Sequence, residues 1–291
     1  VGAQQLLACA VTRMLHAATP ASRYIWCSIA GRACAFQREF HSAAALQDWL
    51  ASEGGLASMP SPVLSFVCSL LLTRGLATVK ADMDDASAPL VSIFGHCSQE
   101  LTNLCLTGRA VTNIFDGDIA FEDGDDSLRL KGVDRFPDVG FLSALEPLKF
   151  CEVGKFLKNP RYPLWVVAST THYTLLFSGD CRASHVPKDN VPSEEAEALC
   201  PCCSCTRAAA GDEKAALRLF HFNGKDFGGE RPTLVPVEIR LVDGPSHAAV
   251  LTDDQDSRLF GEVLRSRWPG AEVSYPGIGD TKLVGSPPRM N

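Results

Sequence analysis

Leu164-Trp165-Val166-Val167-Ala168, then Ser169-Thr170-Thr171, then His172-Tyr173-Thr174-Leu175-Leu176-Phe177 decides how this chain folds. Two runs of β-favouring residues separated by three small polar ones read as a β-hairpin. Pro160 and Pro163 bracket its entry. On a strand of period two, His172, Thr174 and Leu176 face one way and Tyr173, Leu175 and Phe177 the other. His172 is the first residue after the connection, so the pattern places it at the end of a sheet.

Outward from the hairpin, the second half continues in extended patterns. Leu217 to Phe222 and Leu234 to Leu241 read as further strands, and Asp254 to Trp268 reads as a helix with Leu259, Phe260, Val263 and Leu264 inward. Between them, residues 180–214 change character: prolines, an acidic stretch and an alanine run mark an insertion. The tail after Asp280 reads as disordered. The first half is mostly helical. Leu7, Val11, Met14 and Leu15 share a face of an opening helix, which Pro20 stops. Tyr24-Ile25-Trp26 and Ala33 to Gln37 lean to strand, and a second helix runs from about Ser42 to Ala51. Pro62 to Ala81 reads as one long buried helix with Leu64, Val67, Cys68 and Leu71 on its inner face. Ser98 is placed to cap the next helix, and Gly108 to end it. Ala110 to Phe115 is a short extended piece, and Glu122 to Asp126 a solvated loop. The expected fold class is α+β: a helical first half, then an antiparallel sheet.

Composition bounds the function. The chain has 291 residues, 46% apolar and 21% charged, which is ordinary for a globular protein. A formal net charge of −7 argues against a nucleic-acid partner, since such binding rests on a basic face. No apolar run reaches the about 18–20 residues that span a bilayer, so no membrane partner is expected. The longest, Val63 to Leu72, is interrupted by Ser65 and Ser69. No secretory signal opens the chain, so its 12 cysteines are expected to be reduced thiols of an intracellular protein, cytoplasmic or nuclear. The first residue is Val, and the sequence is expected to begin inside a longer chain.

Few residues carry chemistry on their own. An imidazole titrates near pH ~6.5, so His172 at a strand end is a candidate general base; a structural bond to a turn carbonyl is the alternative. His96, His185, His221 and His247 have less context. Cys200, Cys202, Cys203 and Cys205 form two overlapping Cys-x-x-Cys pairs within six residues. Such a strip cannot easily wrap one ion tetrahedrally, so incidental cysteines are favoured over zinc or redox chemistry, and no metal or cofactor is expected. Cys9 lies mid-helix between alanines, not at a helix N-terminus where a thiolate is favoured. No P-loop, dinucleotide fingerprint, His-Glu-x-x-His or nucleophile elbow is present.

Six blocks taken in order carry a resemblance: Gly95 to Leu104, Leu106 to Asp116, Val139 to Ser143, Val153 to Val167, Thr171 to Phe177, and Trp268 to Val273. Together they resemble the MINDY family of cysteine-type deubiquitinases, in particular its larger, less typical branch. The resemblance covers residues 1–280 as one catalytic domain, with 180–214 inserted and 281–291 as tail. It implies a papain-like logic: a Cys nucleophile, a His base and a Gln that helps hold the oxyanion. It implies hydrolysis of isopeptide bonds in polyubiquitin, preferring the linkage that directs substrates to the proteasome, with ubiquitin chains as partner. The family's His follows its Trp-Val-Val strand, which matches His172.

The nucleophile has no such match. In the family a Gln and a Gly-Gly-Pro-Cys-Gly lead directly into a helix, and Val1 to Leu15 resembles that helix. Neither the Cys nor the Gln is found here, so both are expected upstream of Val1, and the chain by itself is expected to be inactive. Ala168 and Thr170-Thr171 stand where relatives have Cys and Glu-Ser, and Ile114 where they have Val. These changes leave the partner that orients His172 unidentified. Two other readings stay open: a non-catalytic ubiquitin-binding protein, and a metal-binding module at Cys200 to Cys205.

Overall fold

The computed structural model describes residues 2–19, 22–123, 126–169, 172–184, 216–224, 234–241 and 255–274, and its contacts divide the chain into two units, Val1–Asp134 and Arg135–Asn291.

Unit one opens with helix α1 (Ala3–Ala18), the antiparallel pair β1 (Tyr24–Ala30) and β2 (Ala33–Phe40), and helix α2 (Ala43–Ala51). The inner face of α1 is Ala8, Val11, Leu15 and Ala18; Leu7, expected inward, is exposed. Small residues face in because the next contact is close. A Cβ on Gly108 would collide with the Ala17 carbonyl, and Gly108 also needs φ +77° to end its helix.

The long helix expected over Pro62 to Ala81 is two helices, α3 (Pro62–Arg74) and α4 (Leu76–Asp82), bent by 84° at Gly75, whose φ is +86°. The inner face also differs from the aliphatic one expected, for Leu64 is exposed and Ser65, Ser69 and Leu70 are buried. The reason lies in β1. Its edge would leave alternate N–H groups unpaired, and α3 supplies an oxygen to each. Ile29 N–H donates to Ser65 Oγ at 2.8 Å, Cys27 N–H to Ser69 Oγ at 2.8 Å, and Ile25 N–H to Thr73 Oγ1 at 2.9 Å. Spacing of four along the helix matches spacing of two along the strand. No single helix among the described residues is long and apolar enough to cross a membrane.

Helix α5 (Gln99–Thr107) begins as expected: Leu101 N–H donates to Ser98 Oγ. Ala110 to Phe115 is not a strand. It is pinned by Asn103, whose Nδ2 donates to Val111 O and Asn113 O. The loop expected over Glu122 to Asp126 contains strand ends instead: β3 (Ile119–Asp123) pairs with β4 (Asp126–Leu130).

Among its described residues, unit two has a six-stranded sheet with a helix packed on it. It contains β5 (Gly140–Ser143), the short helix α6 (Lys155–Lys158), β6 (Leu164–Ala168), β7 (Tyr173–Phe177), β8 (Leu217–Phe222), β9 (Leu234–Arg240), helix α7 (Gln255–Arg267) and β10 (Glu272–Ser274). The strand order is β10-β9-β8-β7-β6-β5, antiparallel throughout except for the parallel pair β5 and β6. The hairpin is β6 and β7, in the register Leu164 to Phe177 through Ala168 to Tyr173. Helix α7 buries Phe260, Val263 and Leu264 against the sheet, each worth about 1.5–3 kcal/mol. Trp165 is fully buried, donates from Nε1 to Lys158 O at 2.9 Å and meets Trp268 edge-on. A Cβ on Gly140 would strike the Trp165 ring, so β5 lies against β6 only with glycine there. The arrangement is α+β, as expected. Residues 185–214 of the insertion and everything after Ser274 lie outside the described residues.

Candidate functional site

The β6–β7 connection is closed by its two described ends. Ser169 N–H and Ser169 Oγ both donate to His172 O at 2.9 Å, and His172 N–H donates back to Ser169 Oγ at 3.1 Å. The main chain of His172 is thus clamped on one side. Beyond it the alternation of β7 runs as its sequence predicts: Tyr173 and Leu175 exposed, Thr174 and Leu176 buried. His172 is half-buried.

The imidazole is held from the neighbouring strand. His172 Nε2 lies 2.8 Å from the main-chain oxygen of Asn223 and 2.9 Å from its Oδ1. Both partners are acceptors, so Nε2 carries the proton and donates to both. The neutral ring therefore keeps its lone pair on Nδ1.

Asn223 follows β8, and its alternation explains its position. Leu217 and Leu219 point inward and are buried. At the next two inward positions, the stripe turns polar with His221 and Asn223. This change occurs at the strand end that faces the hairpin connection. Sequence reading treated His221 as uninformative and did not single out Asn223. The one available signal was Leu-x-Leu-x-His-x-Asn, a strand pattern that loses its apolar character on its inner face.

His221 is the second imidazole here. It is buried against Phe260, with ring centroids 4.5 Å apart, and its Nε2 makes no hydrogen bond among the described residues. Burial first, then the facing His172, pushes its pKa down from 6.5 to about 4. It is neutral wherever an imidazole base is useful. The depressed value also fixes a sign. Below pH 6.5 the unfolded chain binds a proton that the native chain refuses, so stability is full above about pH 6.5 and falls as pH drops toward 4. At about 1.4 kcal/mol per unit, the loss is on the order of 3 kcal/mol. Urea unfolding at pH 7 and pH 4.5 is expected to show that loss in the native sequence and to show most of it gone in His221→Leu. Equal acid sensitivity in both proteins would refute it.

Beneath the connection is a cavity of about 30 Å³, bordered by Ala144, Ala168, Ser169 and Phe260. That is the space of one water.

The thiols with perturbed titration all move away from reactivity. Burial pushes Cys27 up to about 11 and Cys105 up to about 12, and raises Cys68 and Cys151. A nucleophile needs the opposite direction. Cys9 is in the interior of α1, as expected. His96 is exposed in unit one. His185, His247 and Cys200, Cys202, Cys203 and Cys205 lie outside the described residues. Among the described residues no group of three or more His, Cys, Asp or Glu is arranged to hold a metal ion.

A family model described as the conserved domain of the deubiquitinating enzymes MINDY-3/4 matches residues 37–277. Human "Ubiquitin carboxyl-terminal hydrolase MINDY-3" is 40% identical over 161 residues, covering 55% of this chain and 35% of that protein. The Drosophila melanogaster MINDY-3 homolog is 46% identical over 121 residues, 41% of this chain and 21% of the fly protein. Mouse "Probable ubiquitin carboxyl-terminal hydrolase MINDY-4" is 42% identical over 120 residues, 41% of this chain and 16% of the mouse protein. The chain thus spans about a third or less of the curated relatives it matches. No solved structure matches.

Proposed function

This chain belongs to the MINDY-3/4 family of deubiquitinating enzymes, and on that premise we propose that it carries the general base, His172, of a thiol-dependent ubiquitin carboxyl-terminal hydrolase. The observation that supports this most is the fixed imidazole: its main chain is bound to Ser169, and its Nε2–H is bound to Asn223. A half-buried ring with one nitrogen tied and the lone pair on the other suits proton transfer to and from a substrate.

In this reading the reaction runs as the family's cysteine-type logic implies. A cysteine thiol gives its proton to Nδ1 of His172 and attacks the carbonyl of the Gly–Lys isopeptide bond. The imidazolium returns the proton to the lysine amine as the C–N bond breaks. Water, deprotonated in turn by His172, then releases the ubiquitin C-terminus from the thioester. The substrate is polyubiquitin, with the proteasome-directing linkage preferred. The nucleophile in this reading is the cysteine of the Pro-Cys-Gly motif that the resemblance implies, a motif this sequence does not contain.

The test compares the 291-residue chain with a longer form in which Gly-Gly-Pro-Cys-Gly precedes α1, using ubiquitin-vinyl sulfone and di-ubiquitin. Adduct and cleavage are expected only in the longer form. Adduct on one of the 12 cysteines of the 291-residue chain would refute the external nucleophile. A longer form that binds ubiquitin chains without cleaving them would favour a non-catalytic ubiquitin-binding protein instead.

A further inference from the structure

We propose that Asn223 is the positioning residue of this site: it holds His172 as the Nε2–H tautomer, so that Nδ1 is the nitrogen that exchanges protons with the thiol and the leaving amine. The role in catalysis rests on the deubiquitinase reading; the pairing itself does not.

Three observations carry it. First, both oxygens of Asn223 converge on one ring nitrogen, at 2.8 and 2.9 Å. Two acceptors on Nε2 exclude a lone pair there, so the neutral ring keeps its lone pair on Nδ1. Second, Asn223 is 2% exposed, and its Nδ2 makes no hydrogen bond among the described residues. A buried amide with an unpaired N–H is destabilising, and the fold gains nothing from that donor. An apolar side chain would pack there at lower cost, so the bond from Oδ1 to His172 is what accounts for an amide at this position. Third, the titratable ring that acts on His172 among the described residues, His221, lies one inward position back on β8 and is buried. Asn223 is thus a neutral orienter: it fixes the ring through hydrogen bonds and places no formal charge beside it. Through the cycle the Nε2–H stays on Asn223 while the mobile proton passes from thiol to Nδ1 and from Nδ1 to the lysine amine.

The first measurement needs no catalysis. Ring 15N spectra of the 291-residue chain, taken at a pH where His172 is neutral, are expected to show the proton on Nε2. Asn223→Ala keeps the main-chain oxygen and loses Oδ1, so the Nδ1–H fraction is expected to rise above the native level, and Asn223→Asp, which keeps a side-chain acceptor, to hold it at the native level. Should Asn223→Ala not fold, Asn223→Ser shortens the side chain out of reach, with the same expected change. A native ring protonated on Nδ1, or variant spectra identical to the native one, overturns the proposal. The second measurement uses the longer, thiol-bearing form: Asn223→Ala is expected to lower kcat about 10–100-fold with KM within about twofold, and Asn223→Asp to recover most of it. Hydrolysis indifferent to Asn223→Ala overturns the positioning role and leaves the deubiquitinase reading intact. No hydrolysis in any form, with the native tautomer as stated, removes that reading and leaves the pairing.

Discussion

His172→Ala is expected to lower kcat/KM for di-ubiquitin about 10²–10⁴-fold in the thiol-bearing form, the usual contribution of a positioned general base. The fold should tolerate the change. His172 is half-buried, and its loss removes two bonds to Asn223 that together contribute roughly 1–3 kcal/mol. Activity and melting temperature should therefore separate: hydrolysis falls by orders of magnitude while the thermal transition moves by a few degrees. His172→Gln sharpens the comparison. It retains polar atoms near Asn223 but cannot accept and return a proton near neutral pH, so it should be as inactive as alanine. A loss smaller than tenfold in either variant would remove His172 as the base and return it to a structural turn residue.

Asp82→Ala is expected to be the most damaging single change in unit one. The 84° bend at Gly75 brings the end of α4 back to the end of α3, so that Asp82, 5% exposed, meets Arg74 eight residues earlier. Arg74 Nε and Nη2 donate to its two oxygens at 2.9 and 2.8 Å, Ala110 N–H donates to Oδ2 at 3.2 Å, and Arg109 Nε lies 3.6 Å away. Alanine leaves a guanidinium and a main-chain N–H buried without an acceptor. Removing one partner of such a pair costs about 3–5 kcal/mol, a large share of the ~5–15 kcal/mol that holds a domain. The melting temperature of unit one should fall by roughly 10–20 °C. Asp82→Asn keeps an acceptor and the shape, and should cost less. A loss under ~1 kcal/mol in Asp82→Ala would mean that the bend does not depend on this carboxylate.

How much was legible depended on whether the information was local. The hairpin was legible because both its strands alternate and its connection is short and polar. Helix α5 was legible because Ser98 and Gly108 mark its two ends. Helix α3 misled because its leucines form a plausible inner face, whereas the buried face is a ladder of hydroxyls. Nothing within Pro62 to Arg74 shows that β1 will need three acceptors. Only the facing ends of β3 and β4, Glu122 to Asp126, read as loop, because an acidic, glycine-containing stretch dominates there.

The site divides the same way. The sequence by itself determined the hairpin, the place of His172 at its open end, and the family to which the chain belongs, since these follow from the alternation of nearby residues and from ordered motif blocks. Only the tertiary structure decided which nitrogen of His172 is tied and which keeps the lone pair. That depends on Asn223, 51 residues further along the chain, reached across the pairing of β7 with β8. A hydrogen bond between strands is set by register and packing, and a partner that far away in sequence leaves no local pattern to read.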